Sequence, residues 1–169
     1  VVAAIGTLKG PRHGGAPEAV MKLVQEIGEP EHAEAVIAGK RERGEKIMGF
    51  GHRVFRVEDP RARHMRERAR ELGEKMGQPK WFRILTAIQD AMAPLADRGV
   101  NVNVDFYAGA VYYLLGIPED VFVPMFAIGR MPGWIAQVME QWQDNTLIRP
   151  LLEYEGPQNL EYVPLERRL

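Results

Sequence analysis

The stretch GFGHRVFRVEDPRARHMRERARELGEKM, residues 49–76, shows how this chain alternates glycine-rich loops with helices. Two of its first three residues are glycine, which disfavours a helix interior. Asp59 and Pro60 follow, and they suit the N-cap and the first position of a helix. The sequence therefore predicts a loop over 47–52 and a charged helix over 62–76.

Helical spacing recurs on both sides of this stretch. Apolar residues return every three or four positions, and glycine or proline ends each run. Further helices are predicted over 1–8, 19–27, 30–38, 81–96, 107–115, 118–127 and 134–142. Residues 101–106 are predicted to be extended or a loop, and the tail from Pro150 to be extended. Too few strand-like runs remain to build a sheet, so we expect an all-α fold.

Composition limits the function classes. The 169 residues are 46% hydrophobic and 27% charged, with a formal net charge of -1, which is typical of a globular protein and argues against sequence-independent nucleic-acid binding. With no cysteine, disulfides and thiolate chemistry are excluded. No apolar run approaches the ~20 residues that span a bilayer, and no signal peptide is visible, so no membrane partner and a cytoplasmic location are expected. The chain lacks an initiator methionine, which suggests either a fragment or a processed N-terminus.

Two glycine-framed histidines are the first candidates for chemistry. His13 lies in GPRHGG, residues 10–15, and His52 lies in GFGHRVFR, residues 49–56. Flanking glycines leave space around an imidazole, and a neutral imidazole can donate a hydrogen bond to an oxygen that gains negative charge. For His13 the alternative is a turn histidine without a role.

Arginines provide candidate anion contacts. Guanidinium groups bind carboxylates and phosphates bidentately, and Arg53, Arg56 and Arg61 follow His52 closely. The later arginines of the 62–76 helix are better explained as a solvated basic face: Arg63, Arg66, Arg68 and Arg70.

Three more polar residues have apolar neighbours in the sequence. Asp105 lies between Val104 and Phe106, and partial burial there would suit a general base, although from the residues alone a helix N-cap is favoured. Arg130, between two predicted apolar helices, and Arg149 need an anionic partner, either a substrate or a glutamate in a structural ion pair. Together the polar groups indicate a site for a polyanionic small molecule. No motif points to a metal or a nicotinamide.

Five blocks of the sequence resemble the citrate synthase family of bacteria and archaea. They are GPRHGGA (10–16), GFGHRVFRVEDPR (49–61), NVDFYAG (103–109), GRMPGWIAQVMEQ (129–141) and LIRPLLEYEGP (147–157). The resemblance implies a multi-helical, all-α fold and a homodimer. It divides the chain into a large-domain part over 1–15, a small domain over 16–116 and a C-terminal part of the large domain over 117–169. Arg12 and Ala108 depart from the family pattern, and neither carries an implied role.

The resemblance also implies a reaction of the tricarboxylic acid cycle. Acetyl-CoA, a thioester substrate, would condense with oxaloacetate and water to give citrate and CoA, and no further cofactor or metal would be needed. The family pattern assigns these roles: Asp105 removes a proton from the acetyl methyl group, His13 holds the enolate oxygen, His52 polarises the ketone of oxaloacetate, Arg61 and Arg130 clamp its carboxylates, Arg149 reaches the partner subunit's site, and Arg56 pairs with a CoA phosphate.

Two alternatives stay open. The same motifs serve 2-methylcitrate synthase, which takes propionyl-CoA. The family also uses an oxaloacetate-binding histidine from a segment before the first residue of this chain, so the chain by itself is expected to be inactive, and it could be a helical module only.

Overall fold

Within the residues that the computed structural model describes, 1–10 and 14–168, the chain forms seven α-helices joined by short loops. These are α1 (Val2–Lys9), α2 (Ala16–Ile27), α3 (Ala33–Glu42), α4 (Pro60–Lys75), α5 (Lys80–Met92), α6 (Val104–Leu114) and α7 (Phe122–Gln143). Short 3₁₀ helices cover Pro30–His32, Ala93–Arg98, Glu119–Val121 and Leu165–Arg167. Among the same residues the β pairing amounts to one isolated bridge, Phe50 to Val102. The expected all-α fold is confirmed.

Helix α6 lies at the centre of the core, packed against α4 and α2. Its Phe106 and Tyr107 are fully buried. Gly109 allows the close approach of α2, because a Cβ at this position would lie 2.4 Å from the carbonyl oxygen of Pro17. Helix α5 completes the core with apolar residues at helical spacing, Ile84, Leu85, Ile88 and Met92. The first turn of α2 is thereby fixed against the middle of α6.

Several local predictions are confirmed. Asp59 is the N-cap of α4 and accepts a hydrogen bond from the backbone N–H of Arg61 at 3.0 Å. Pro60 occupies the first helical position, where its missing N–H costs nothing. Residues 47–52 contain no helix, as predicted. Residues 151–168 are irregular and mostly exposed, and they include one short 3₁₀ turn, Leu165–Arg167.

Several helix boundaries differ from the prediction by a few residues, and three of the differences have a clear physical reason. Helix α3 continues through Gly39 to Glu42, since the ~1 kcal/mol cost of one interior glycine is small beside tertiary packing. Helix α5 ends at Met92 and changes to 3₁₀ over Ala93–Arg98, because Pro94 cannot donate an α-helical hydrogen bond. Helix α6 starts three residues before its predicted beginning, since side chains from α4 and the preceding loop bind its first N–H groups.

The prediction for α7 contained a larger error. The sequence predicted two helices separated around 128–133, but Phe122–Gln143 is one helix of 22 residues with Pro132 inside it. A proline removes one helical hydrogen bond, and the hydrogen bonds of the turns on either side suffice to continue the helix.

Counted from Glu119, this segment is long and apolar enough to cross a membrane by length and composition alone. A single such helix is weak evidence, because helices in the interior of soluble proteins share these properties.

Candidate active site

The loop that carries His52 is held against the start of α6. Gly49 and Gly51 have φ values of +85° and +81°, which favour glycine. Gly49 also packs directly on α6, since a Cβ there would lie 2.7 Å from Cδ2 of Phe106. The backbone N–H of Gly51 donates to the carbonyl oxygen of Asn101 at 2.7 Å. The two glycines of the 49–51 motif therefore set both the bend of the loop and its distance from the core.

His52 is held by its own loop. Its Nδ1 accepts hydrogen bonds from the backbone N–H groups of Val54 at 3.0 Å and Phe55 at 3.1 Å. Its ring stacks on Phe55 with 4.5 Å between centroids. A nitrogen that accepts two hydrogen bonds carries no proton, so the neutral imidazole has its proton on Nε2. The ring is partly exposed, and Nε2–H can serve as a donor to a ligand oxygen.

Arg61 is paired with a buried carboxylate. Asp59 has no solvent exposure, and its Oδ1 and Oδ2 accept from Nε and Nη2 of Arg61 at 2.9 and 2.7 Å. The hydrogen bonds from Arg61 hold the pKa of Asp59 below its usual value, and the backbone N–H of Val104 adds to them. The Arg61 side chain remains 48% exposed. A half-exposed guanidinium held in one orientation is well suited to bind an anion.

Asp105 lies in the first turn of α6 and is partly buried. The N-cap interpretation was wrong, because Asn103 caps the helix and its Oδ1 accepts from the backbone N–H of Asp105 at 3.0 Å. The carboxylate lies near Arg61 and Tyr112. The hydrogen bond with Asp59 is the main cause that raises the pKa of Arg61, and the charge of Asp105 contributes. Burial raises the pKa of Tyr112, and Asp105 raises it further.

These contacts bring together three of the sequence-predicted residues. His52 is joined to α6 through its loop. Arg61 is joined to α6 through Asp59, because Oδ2 of Asp59 accepts a hydrogen bond from the Val104 N–H at 3.3 Å. Asp105 belongs to α6 itself. Arg56 lies exposed on the same loop. A carboxylate, a hydrogen-bond donor and a guanidinium thus share the N-terminal end of one helix, an arrangement that can deprotonate one substrate and polarise another.

The other predicted residues stand apart or outside the described chain. Arg130 is exposed on α7, 5.8 Å from the ring centre of Phe126, and Arg149 is exposed in the tail. Within residues 1–10 and 14–168 neither forms an ion pair, and neither is hydrogen-bonded to His52 or Arg61. His13 and its neighbour Arg12 lie outside the described residues. Of that block, Gly14 is described, and its N–H donates to the carbonyl oxygen of Leu8 at 2.8 Å.

One arginine that the sequence placed on a solvated face has a structural role. Arg66 is partly buried, binds Glu58, and donates from Nε to the hydroxyl of Tyr107 at 3.1 Å. That hydroxyl donates to Oε1 of Gln89 at 2.6 Å. Arg63, Arg68 and Arg70 are exposed, as predicted. The hydrogen bonds among Arg66, Tyr107 and Gln89 connect α4, α5 and α6.

Sequence reasoning missed Asn103 and the buried pairing of Asp59. Asparagine is among the best N-cap residues, so Asn103, two positions before Asp105, carried a readable signal. The pairing of Asp59 with Arg61 did not, because a cap residue is normally solvated. Among the described residues no group of three His, Cys, Asp or Glu side chains could hold a metal ion.

The chain is similar to known proteins in both sequence and fold. Residues 1–151 match the family model for the C-terminal domain of citrate synthase. Citrate synthase 2 of Bacillus subtilis is 49% identical over 99% of this chain, and 2-methylcitrate synthase 2 of Corynebacterium glutamicum is 44% identical over 99%. The chain spans 45% and 43% of these two relatives.

A solved structure matches the fold as well. It is the ternary complex of carboxymethyl coenzyme A and oxaloacetate with citrate synthase from Thermoplasma acidophilum. Its TM-score is 0.85 at 36% identity, over 95% of this chain and 44% of that one. The family match over most of the chain and the relatives above 40% identity lead to one conclusion: the chain belongs to the citrate synthase family.

Proposed function

We propose that this chain supplies the small-domain side of the active site of a citrate synthase, which condenses acetyl-CoA with oxaloacetate and water to give citrate and CoA. The observation that carries the proposal is the convergence of His52, Arg61 and Asp105 at the start of α6. Because the chain spans about 45% of the relatives' length, the reaction is proposed for the whole protein. Activity of the isolated chain is not expected.

The proposed chemistry begins with removal of a proton from the acetyl methyl group by Asp105. Such a weak carbon acid needs a base and an oxyanion partner that act together. His13 is proposed to hold the enolate oxygen. His52 donates from Nε2–H to the ketone oxygen of oxaloacetate, a role supported by the two backbone donors at its Nδ1. The enolate carbon attacks that ketone, and hydrolysis of the citryl thioester releases citrate and CoA.

The arginines are proposed to hold the anions. Arg61 and Arg130 bind the oxaloacetate carboxylates, and Arg56 binds a CoA phosphate. Arg149 acts in the partner subunit's site of a homodimer. The exposed position of all four side chains supports these roles. The proposed division is a small domain over 16–116, with 1–15 and 117–169 in the large domain.

The acyl preference has two candidates. A preference for propionyl-CoA, giving 2-methylcitrate, is supported by the Corynebacterium glutamicum relative at 44% identity, and acetyl-CoA by the Bacillus subtilis relative at 49%. One methylene changes binding in a pocket by only ~1–3 kcal/mol. A comparison of kcat/KM for the two thioesters decides between them.

The test of the proposal is thiol release from acetyl-CoA and oxaloacetate by the protein purified as its source expresses it. Asp105→Ala should abolish turnover, because the base is lost. Asp97→Ala, an exposed carboxylate in the 3₁₀ turn before α6, is the matched control and should keep full activity. Turnover by Asp105→Ala equal to that of the wild type would refute the assignment.

A further inference from the structure

We infer that Asn103 is a positioning residue that sets the distance between the His52 loop and Asp105, an inference that rests on the proposed function. Its side-chain amide makes two hydrogen bonds, one as an acceptor and one as a donor. Oδ1 accepts from the backbone N–H of Asp105 at 3.0 Å, and Nδ2 donates to the carbonyl oxygen of Gly51 at 2.9 Å. One amide group therefore joins the residue before His52 to the proposed base.

The backbone of Asn103 strengthens the same junction. Its N–H donates to the carbonyl oxygen of Gly49 at 2.9 Å, and its carbonyl oxygen accepts from the N–H of Phe106 at 3.2 Å. The bridge between Phe50 and Val102 lies beside it. Of the hydrogen bonds that Asn103 makes, only the one from its side chain reaches Gly51, directly before His52. The N–H of Gly51 is bound separately by the carbonyl oxygen of Asn101.

The residue type matches this task. Capping alone needs an acceptor, which serine, threonine and aspartate also provide. The bond to Gly51 needs a donor on the same side chain, about 2.9 Å from a carbonyl oxygen. Serine is too short to span both, and aspartate has no donor, so only the amide fulfils both requirements with this backbone geometry.

The position matters because the two proposed catalytic groups act on different substrates. Asp105 deprotonates one molecule and His52 polarises the other, so the new carbon–carbon bond forms between atoms that the two residues hold. Misplacement of reacting groups by about 1 Å can cost roughly 100-fold in rate. Asn103 touches neither substrate in this account, and its effect acts through His52.

The test compares Asn103→Ser with Ile88→Val in the enzyme as its source expresses it. Serine keeps the cap and loses the bond to Gly51. Ile88→Val trims a buried residue of α5 that has no proposed catalytic or binding role, and we expect it to lower thermal stability by a similar amount. We expect Asn103→Ser to lower kcat by about 10- to 100-fold with KM for both substrates within about twofold, while Ile88→Val keeps the wild-type kcat. Asn103→Asp, similar in shape but without the donor, should behave like Asn103→Ser.

A double-mutant cycle with His52→Gln separates positioning from general damage. If Asn103 acts through the His52 loop, Asn103→Ser should add less than about threefold to the loss caused by His52→Gln, since groups that act as a unit are not additive. A multiplicative loss, or wild-type kcat in both Asn103 variants, would overturn the inference. An inactive wild type, or full activity in His52→Gln, would instead overturn the proposed function, and the inference with it.

Discussion

Replacement of Asp59 by alanine should destabilise the protein more than any other single change at the site. The carboxylate is fully buried and accepts four hydrogen bonds, two from the Arg61 side chain and two from the backbone N–H groups of Arg61 and Val104. Loss of one partner of a buried ion pair costs about 3–5 kcal/mol. We expect a value near the lower end, ~3 kcal/mol, because the half-exposed Arg61 can be hydrated once it is released.

The assay is thermal unfolding followed by circular dichroism at 222 nm. For a domain of this size ~3 kcal/mol lowers Tm by roughly 6–12 °C. Asp59→Asn keeps the cap acceptor and should lose about half as much. Asp97→Ala, which removes an exposed carboxylate, should leave Tm within about 2 °C of the wild type. A Tm of Asp59→Ala that matches the Asp97→Ala control would show that the buried pair does not stabilise the fold, and the reasoning would be refuted.

Three further predictions concern pH, packing and the buried network. The pKa of Asp59 is lowered in the folded state. The stabilisation by its carboxylate is therefore complete above the unfolded pKa of about 4 and disappears as pH falls through the folded pKa. The Tm difference between wild type and Asp59→Ala should shrink below about pH 4, and a constant difference would contradict this. Gly109→Ala should cost about 1–3 kcal/mol in chemical unfolding, because its Cβ would meet a carbonyl oxygen at 2.4 Å, whereas Gly129→Ala on α7, with open space around it, should not destabilise. Tyr107→Phe should cost about 1–3 kcal/mol, since it leaves Oε1 of Gln89 without its 2.6 Å donor. An unchanged denaturation midpoint would contradict this.

The features that the sequence predicted well are local. The cap formed by Asp59 and Pro60 and the glycine loop over 47–52 depend on residues close together in the chain, and short-range rules describe them. The beginning of α6 was misplaced, because the groups that bind its first N–H groups include a side chain 45 residues away. Helix propensities of individual residues carry no information about such a long-range contact.

The members of the candidate site came from the family resemblance, but their arrangement could not be predicted from the sequence. The family resemblance named His52, Arg61 and Asp105, yet no spacing indicates that Asn103 and Gly51, 52 residues apart, would share a hydrogen bond. Arg66 was assigned to a solvated face for the same reason, since its partners Tyr107 and Gln89 come from other helices. Long-range polar contacts decide which charged residue is structural and which is free to serve a ligand.

The pairing of Arg61 with Asp59 also restricts the direction from which an anion can arrive. A guanidinium has five N–H donors, and Asp59 occupies the side edge through Nε and one hydrogen of Nη2. Of the remaining three, one on Nη1 and one on Nη2 point from the far end of the group, so a carboxylate that forms two hydrogen bonds with Arg61 must approach end-on. The buried aspartate would thereby set the orientation of the proposed dicarboxylate substrate without touching it.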